Sequence, residues 1–437
     1  MREPMCDKVK DQLLRGVEKA RKAGASAARI VFSHGESISS GFESGRLKET
    51  NSQESFSYSI DVTVGHRRGA ASGNRLDKLD EMIDRALTLS KVGSAAHFDE
   101  YPAPKPVTGV KSHSPRTLTL TREGMIQDCR KIVDALKSYD AKLFISASAG
   151  RSESESLVIT SGGVCHESRG TGWFLYGGVQ RTVGTDILFA GYGRGWADLN
   201  QFYDPDVIIE RTLFDLRNSE RQAPPPKGKV KAYIPAEALW TFFSPVLMGI
   251  NGRNVAKGDS PLAGRLGQQV LAPCITITDN PHIDYSGGAC EIDGAGIPTR
   301  KQTLFDKGVL QRFLYDLDTA GMAKTEPTGN NGCSPYWPLI TPGTRPSSEL
   351  LAAIDDGIYI KDLIGFGQGN IMNGDFSCNV GLGYRIQKGQ LVGRVKDTMV
   401  AGNCYDLLSK GIEFSSDLDH EGRTPHAVLD GISVSGH

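Results

Sequence analysis

No stretch of this sequence stays apolar long enough to span a bilayer. The longest apolar-rich run, Ala238 to Ile250, falls short of the roughly 20 residues a membrane helix needs and is broken by Ser244 and Pro245. Net charge is nearly absent as well: 50 Lys and Arg stand against 51 Asp and Glu, a formal −1. No overall basic field therefore exists to hold nucleic acid or an anionic membrane. The opening residues, Met-Arg-Glu-Pro-Met-Cys-Asp-Lys, carry no apolar core of signal-peptide type, so the expected compartment is the cytoplasm. The eight cysteines (Cys6, Cys129, Cys165, Cys274, Cys290, Cys333, Cys378, Cys404) are scattered without a CxxC pair. In a reducing compartment they read as small, mostly buried apolar residues.

Recognisable chemical motifs are also missing. A zinc protease places two His on one helix beside a Glu that serves as base. His166-Glu167 has no second His in range, and His420-Glu421 is followed by Gly422 and Pro425 before His426, which rules out a regular helix. No GxxxxGK[ST] loop and no GxSxG elbow occurs. The short runs Gly191-Tyr-Gly193-Arg-Gly195 and Gly365-Phe-Gly367-Gln-Gly369 lack a dinucleotide-binding setting and read as turns or bulges. Asp279, Asp284, Glu291 and Asp293 crowd a Gly-rich segment that could take Ca²⁺ or a cationic peptide end. The EF-hand order is absent, however, and carboxylates bonding local amides explain the cluster better. Sequence spacing singles out no catalytic nucleophile.

What is abundant is glycine, 51 in 437 residues against a usual share of about 7 %, which implies many tight turns and many strands. Met5, Val9, Leu13 and Val17 recur at helical spacing and Gly24 follows as a stop. Strands are predicted at Ala27 to His34, at Ile38 to Glu43 and at Arg46 to Asn51, the last two flanking a turn at Ser44-Gly45. Phe56, Tyr58, Ile60, Val62 and Val64 alternate as in a half-buried strand, and Leu76 to Leu87 returns to helical spacing. Tyr101 to Pro115, with four prolines, is a linker or surface loop. The order then recurs. A helical stripe runs from Met125 to Leu136, and strands follow at Leu143 to Ala147, Leu157 to Thr160, Gly172 to Val183 and Thr185 to Tyr192. Asp204-Pro205 opens a further helix. Pro224-Pro225-Pro226 is the strongest boundary. Beyond it few helices are predicted: one around Pro235 to Ile250 and short ones at Thr319 to Lys324 and Ser347 to Asp355.

The expected fold is α+β. An N-terminal unit (1–100) and a central unit (116–222), joined by the 101–115 linker, share the order helix, antiparallel strands, helix, as a duplication would give; the two can form one structural domain. A strand-rich C-terminal domain (228–437) is expected to be barrel-like, as an open barrel or a sandwich.

Several segments together resemble the TldD/PmbA family. They are Asp279-Asn-Pro281 through Asp293-Gly294-Ala-Gly296-Ile-Pro298-Thr299, Gly308 through Asp316, Thr319-Ala320, Thr328-Gly329-Asn330, Gly374-Asp375-Phe376-Ser377 and Val400-Ala401-Gly402-Asn403, with Asn51 to Gly73 in the first unit. The resemblance spans nearly the whole chain. It implies an α/β N-terminal region, a strand-rich C-terminal domain and a dimer. One branch, TldD, is a zinc metallopeptidase with an HExxxH helix and a late cysteine ligand. The other, PmbA or TldE, lacks those ligands and pairs with TldD to trim leader peptides or degrade unfolded ones; an old name for such proteins is modulator of DNA gyrase.

Aligned back from Ser260 to Gly267, Phe243 falls at the family's first His, Ser244 at the Glu and Met248 at the second His. Trp240 to Arg253 contains no His, Glu, Asp or Cys, and 424–437 contains no Cys, so every expected ligand is missing. Phe243 and Met248 are expected to pack as apolar core residues. The resemblance thus implies a non-catalytic subunit without a metal of its own, partnered by a zinc-bearing TldD-type subunit or by a second copy of itself, and handling unfolded or leader peptide. Asp293, Gly294, Gly296, Gly374, Asp375 and Phe376 are its candidates for a peptide-cavity wall. Two other readings stay open: an independent hydrolase with an unrecognised centre, and a homodimeric peptide-binding protein without catalysis.

Overall fold

A computed structural model describes residues 7–200, 202–419 and 421–436. Met5, Cys6 and His420 lie outside the described residues. The first half of the chain forms α1 (Asp7–Lys22), β1 (Ala27–Glu43), β2 (Arg46–Val64), β3 (Arg67–Gly73) and α2 (Leu79–Ser90), then α3 (Arg122–Tyr139), β4 (Phe144–Thr160), β5 (Cys165–Val183), β6 (Asp186–Trp196) and α4 (Pro205–Asn218). Local chemistry explains the boundaries. After α1 the amide of Ala25 returns to the carbonyl of Ala20 across Gly24 at φ 98°, a left-handed helix stop. Ser44 and Gly45, both at positive φ, make the two-residue turn that matches strand twist, so β1 and β2 pair from Ala27↔Thr63 to Glu43↔Arg46. Asp204 caps α4 through the amide of Asp206, with Pro205 at the first position.

The six strands form one antiparallel sheet ordered β3-β2-β1-β4-β5-β6. The two three-strand units meet along β1 and β4, paired from Arg29↔Thr160 to Glu43↔Ser146. All four helices cover one face. Leu13, Val17, Leu79 and Ile83 of α1 and α2 pack on Ile30, Tyr58, Ile60 and Leu157 at one end of the strands. Met125, Ile132, Leu136 and Ile208 of α3 and α4 pack on Phe42, Ala147, Leu175 and Leu188 at the other. On the opposite face, Phe144, Phe174, Tyr176, Ile187 and Phe189 stand exposed near one end of β4–β6.

The second half contributes β7 (Gly228–Ile234), α5 (Ala236–Gly249), α6 (Gly252–Lys257), β8 (Ile277–Asp279), β9 (Gln302–Asp306), β10 (Val309–Leu310), α7 (Leu317–Ala323), β11 (Pro338–Ile340), α8 (Ser347–Ala352), β12 (Asp356–Ile364), β13 (Asp375–Gln387), β14 (Gln390–Arg394), β15 (Thr398–Asn403), α9 (Cys404–Ser409), β16 (Ile412–Leu418) and β17 (Pro425–Gly436). Pairing runs β12-β7-β17-β15-β13 and returns from β13 to β12, which closes a five-stranded barrel. Where both faces of a strand are covered, as at Tyr233-Ile234 and Ile358-Tyr359-Ile360, successive residues are apolar. Ile234, Ile358, Ile360 and Leu429 join the barrel core with α5, while Tyr233, Tyr359 and Val428 point outward into the core shared with α3 and α4. Strands β8–β11 form a small separate sheet. No helix among the described residues is long and apolar enough to cross a membrane.

The halves are also locked by charge. Asp215 of α4 is fully buried, ion-paired with Lys361 of β12, and accepts the hydroxyl of Tyr384 of β13 at 3.0 Å. Arg394 of β14 pairs with both carboxylate oxygens of Asp186 of β6. Removing one partner from a buried pair strands the other charge, at a cost of about 3–5 kcal/mol. Asp215→Ala is therefore expected to lower unfolding stability by that order in urea titrations, and Asp215→Asn, which keeps an acceptor for Tyr384, by less. Equal midpoints for Asp215→Ala and the parent would show that the pair does not hold the halves together.

Candidate functional site

Helix α5 carries the three positions aligned with the zinc motif. Phe243 is 0 % exposed, its ring 5.7 Å from that of Trp240 and stacked at 6.5 Å on Phe414. Met248, expected in the core, is instead 37 % exposed. Five residues carry it about 140° round the helix from Phe243, onto the outer face with Glu237. Ser244 has a structural task. Pro245 has no amide to give the carbonyl of Thr241, and the Ser244 hydroxyl donates to that carbonyl at 2.7 Å instead. Tyr405 in turn donates to the carbonyl of Pro245 at 3.0 Å. An aromatic ring, a committed hydroxyl and an exposed thioether do not fit a zinc ion.

Other candidate ligands are placed no better. Cys404 is fully buried in α9, and burial pushes its thiol up to about 12. Among the described residues, the grouping of His, Cys, Asp and Glu with converging ligand atoms is His34, Glu36 and Glu54, on the β1–β2 hairpin far in sequence from α5. His166 faces one carboxylate, Glu291, at 3.2 Å, and His426 faces Asp417 at 3.8 Å; neither contact is part of a ligand set.

The six cavity-wall candidates fall in two places. Gly374, Asp375 and Phe376 sit beside α5: Gly374 at φ 88° accepts the amide of Cys404, Asp375 accepts from the Asn403 amide group at 2.8 Å, and the Phe376 ring packs 5.7 Å from Phe242. Gly296 makes a tight turn at φ 83° against Val164, with no room for a Cβ. Asp293 and Gly294 do line a cavity.

That cavity, about 560 Å³, lies where the outer face of β4 and β5 (Ser154, Ser156, His166) meets the 110–113 segment and the 289–294 loop. The acids of the Gly-rich segment build this junction by accepting amides. Asp284 takes Lys111 (2.9 Å), Glu291 takes Val110 (3.2 Å), and Asp293 takes Ala295 and Ile297 (2.8 and 2.9 Å). Asp279, fully buried, accepts the amides of Tyr336 and Trp337 (2.9 and 2.8 Å) and the side-chain amide of Asn330 (2.9 Å).

Shared wall residues link this cavity to its neighbours. Through Asp293 and Asn331 it meets a hollow of about 120 Å³ lined by Arg29, Arg68 and Arg253. Through Ser112, Gly170 and Ala289 it meets one of about 390 Å³ walled by Trp173, Trp196 and Trp337. That one shares Glu421 with a cavity of about 410 Å³ at the first turn of α5, lined by Arg194, Arg211, Glu237, Trp240, Arg423 and His426. The cavities run round the end of the N-terminal sheet as one groove against the barrel half: the 560 Å³ cavity lies on the outer face of β4 and β5, and the 410 Å³ cavity on the helix-covered face, where Tyr192 and Arg194 stand opposite Gly177 and Leu175. Glycines 170, 172 and 195 along it offer bare backbone. The run 191–195, predicted as a turn, lies inside strand β6. Its glycines are needed because the Tyr176 ring lies across them, 2.9 Å from a Cβ placed at Gly191 and 3.2 Å from one at Gly193. Sequence reading missed Arg194, Arg211 and the 110–113 wall. The alternation through Tyr192 and Arg194 was the available signal, hidden by the glycines.

The architecture is a closed five-stranded barrel enclosing α5, joined to a six-stranded antiparallel sheet backed by four helices. Residues 227–436 match the PmbA/TldA metallopeptidase C-terminal domain, and residues 28–90 match PmbA/TldA metallopeptidase domain 1, together more than half of the chain. The chain belongs to the TldD/PmbA family. It is similar to a metalloprotease PmbA homolog of Haemophilus influenzae, 24 % identical over 96 % of this chain and 94 % of the relative. A metalloprotease TldD homolog of the same organism is 29 % identical over 37 % of this chain and 35 % of the relative. In fold it is similar to TldE from Thermococcus kodakarensis, with a TM-score of 0.88 at 22 % identity over 98 % of this chain and all of that one.

Two expectations follow. Burial raises the Asp293 carboxyl to about 6, against the pull of its amide donors and Arg29. A raised carboxyl favours the folded state below the unfolded value near 4, and that advantage is lost as pH rises through 6. Asp293→Asn, which keeps the acceptor oxygen, should leave stability unchanged near pH 4 and raise it by roughly 2–3 kcal/mol at most near pH 8, read from urea midpoints. Ser244→Ala, which orphans the Thr241 carbonyl, should cost about 1 kcal/mol in the same assay, while Ser244→Thr, which can keep the bond, should cost less.

Proposed function

We propose that this chain is the non-catalytic, PmbA/TldE-type subunit of a TldD-like metallopeptidase complex that processes or degrades peptides in the cytoplasm. The observation that carries the reading is α5: where the alignment expects a ligand and a base, Phe243 is sealed in an aromatic core and Ser244 is committed to repairing its own helix. A TldD-type partner supplies the zinc, and without it the chain pairs with a copy of itself. The groove supports the peptide part of the reading, since glycines 170, 172 and 195 and the short side chains of Ser154 and Ser156 leave room for an extended chain.

The alternative of an independent cysteine hydrolase has no support in the hydrogen bonding. Among the described residues no cysteine bonds to a histidine, and Cys129, Cys290, Cys333, Cys378 and Cys404 all have thiols raised by burial, the reverse of an activated nucleophile.

The test is zinc content and peptide cleavage, for the purified chain alone and after mixing with a TldD-type partner from its own source. The expected result is no zinc and no cleavage alone, with cleavage on mixing above that of the partner alone. Stoichiometric zinc or turnover by the chain alone overturns the reading. A chain that binds peptide but neither associates with the partner nor alters its rate is a peptide-binding protein instead.

A further inference from the structure

The cavity at the α5 end of the groove differs from the rest. Elsewhere in the groove cations are met by carboxylates of the chain itself: Arg29 by Asp61 at 2.5 Å, Arg68 by Asp318 at 3.5 Å, Arg253 by Asp316 at 3.8 Å, and Arg169 by Glu155 at 3.0 Å. In this last cavity Arg194 of β6 and Arg211 of α4 both lie over the ring of Tyr192, 5.7 and 5.6 Å from its centre, and neither makes an ion pair or hydrogen bond among the described residues. The Nε of Arg194 is buried without a partner. Leaving such a donor unmet costs about 1–3 kcal/mol, so a chain that keeps it beside a second unpaired guanidinium is prepared for an acceptor it does not itself contain.

The cavity's acids do not fill that role. Asp419 accepts the amides of Arg423 and Thr424 at 3.0 and 3.3 Å, and Glu421 is ion-paired with Arg423, whose guanidinium lies 4.6 Å from the centre of the Trp337 ring. Glu237, on the first turn of α5, is the lining carboxylate left without a partner among the described residues. Trp240 forms a flat wall, held by its indole N–H bond to Thr424 at 2.8 Å. Ala236 also lines the cavity, and Pro235 at the N-cap has no side chain to cap with, so the positive end of a 14-residue helix adds to the anion-favouring field.

We propose that this cavity anchors the C-terminal carboxylate of a peptide whose preceding residues lie extended along the groove. The proposal rests on the reading of the chain as a peptide-handling subunit. Arg194 and Arg211 receive the carboxylate, with the bidentate geometry guanidinium favours. Glu237 accepts the N–H of the last peptide unit, and Tyr192 and Trp240 flank the last side chain. A chain end is favoured over an internal Asp or Glu because two unpaired guanidiniums and a free carboxylate acceptor, Glu237, line one cavity, matching a terminal carboxylate and the N–H beside it.

The test uses the full-length chain and fluorescence anisotropy of a dye-labelled, unstructured peptide of about eight residues, long enough to lie along several strands at ~3.3 Å per residue. Three forms are compared: the free acid, the C-terminal amide, and an amide whose last residue is Glu. The free acid is expected to bind at least tenfold tighter than either amide. Arg211→Gln, a change at an exposed side chain, is expected to erase that preference, lowering the affinity of the free acid far more than that of the plain amide. Lys105→Gln, at an exposed residue outside the groove, is expected to change nothing. Equal binding of acid and plain amide, or an undiminished preference in Arg211→Gln, overturns the proposal. Full affinity for the Glu-ended amide overturns it in favour of a side-chain carboxylate. If any of these occurs while mixing with the TldD-type partner still produces cleavage, the anchor fails and the subunit reading stands. If no peptide form binds and mixing yields no activity, both fall.

Discussion

The pairing of β1 with β4 is the contact on which the rest of the molecule depends. Neither three-strand unit has enough sheet to bury four helices, and a lone meander this long would expose a hydrogen-bonding edge along its whole length. Joining the units back to back removes both edges at once and doubles the strand surface. Because strand residues alternate in facing, the same ladder sets two surfaces: one for α1–α4 and one for the wall of the groove. The barrel half then docks on what is left, through Tyr233, Tyr359 and Val428 and through the Asp215–Lys361 pair.

The second constraint is the two-sided burial of the barrel strands. The part of a strand wedged between α5 on the inside and α3 and α4 on the outside, as at Tyr233, Tyr359 and Val428, has no solvent face, so its side chains cannot report the groove. The groove is built instead by elements that the barrel merely supports: the 289–294 loop, pinned by carboxylates on amides, and the first turn of α5.

What could be read from the sequence was what is decided locally. The Ser44-Gly45 turn, the Asp204-Pro205 start, the stop at Gly24 and the alternation from Phe56 to Val64 all depend on neighbours within a few residues, and the structure has them. Strand lengths were misjudged for a physical reason. Leu143 to Ala147 and Leu157 to Thr160 are the two ends of one strand, β4, whose middle, Arg151 to Ser156, is polar and so breaks the apolar pattern. The same happened across Ser33 to Ser37 in β1. The short helices α6 and α9 carry no periodic stripe and were not foreseen. Closure of the barrel rests on the β7–β12 and β7–β17 pairings between segments far apart in the chain, which no local pattern encodes. Of the site, Asp293 and Gly294 were legible through the family segment, whereas Arg194 was hidden among glycines and Arg211 on an exposed helix surface.

The repair of α5 by Ser244 bears on evolutionary reversibility. Proline at 245 and serine at 244 form a matched set: the first removes a donor and the second supplies one. Replacing Ser244 by glutamate alone would leave the Thr241 carbonyl unmet, and replacing Phe243 by histidine alone would put an imidazole in a sealed aromatic core. Regaining a metal motif would need changes at 243, 244, 245 and 248 together, with a cysteine ligand besides, and each partial step would pass through a less stable protein. The matched pair at 244 and 245 thus works as a ratchet, making each single step towards a metal-binding helix destabilising.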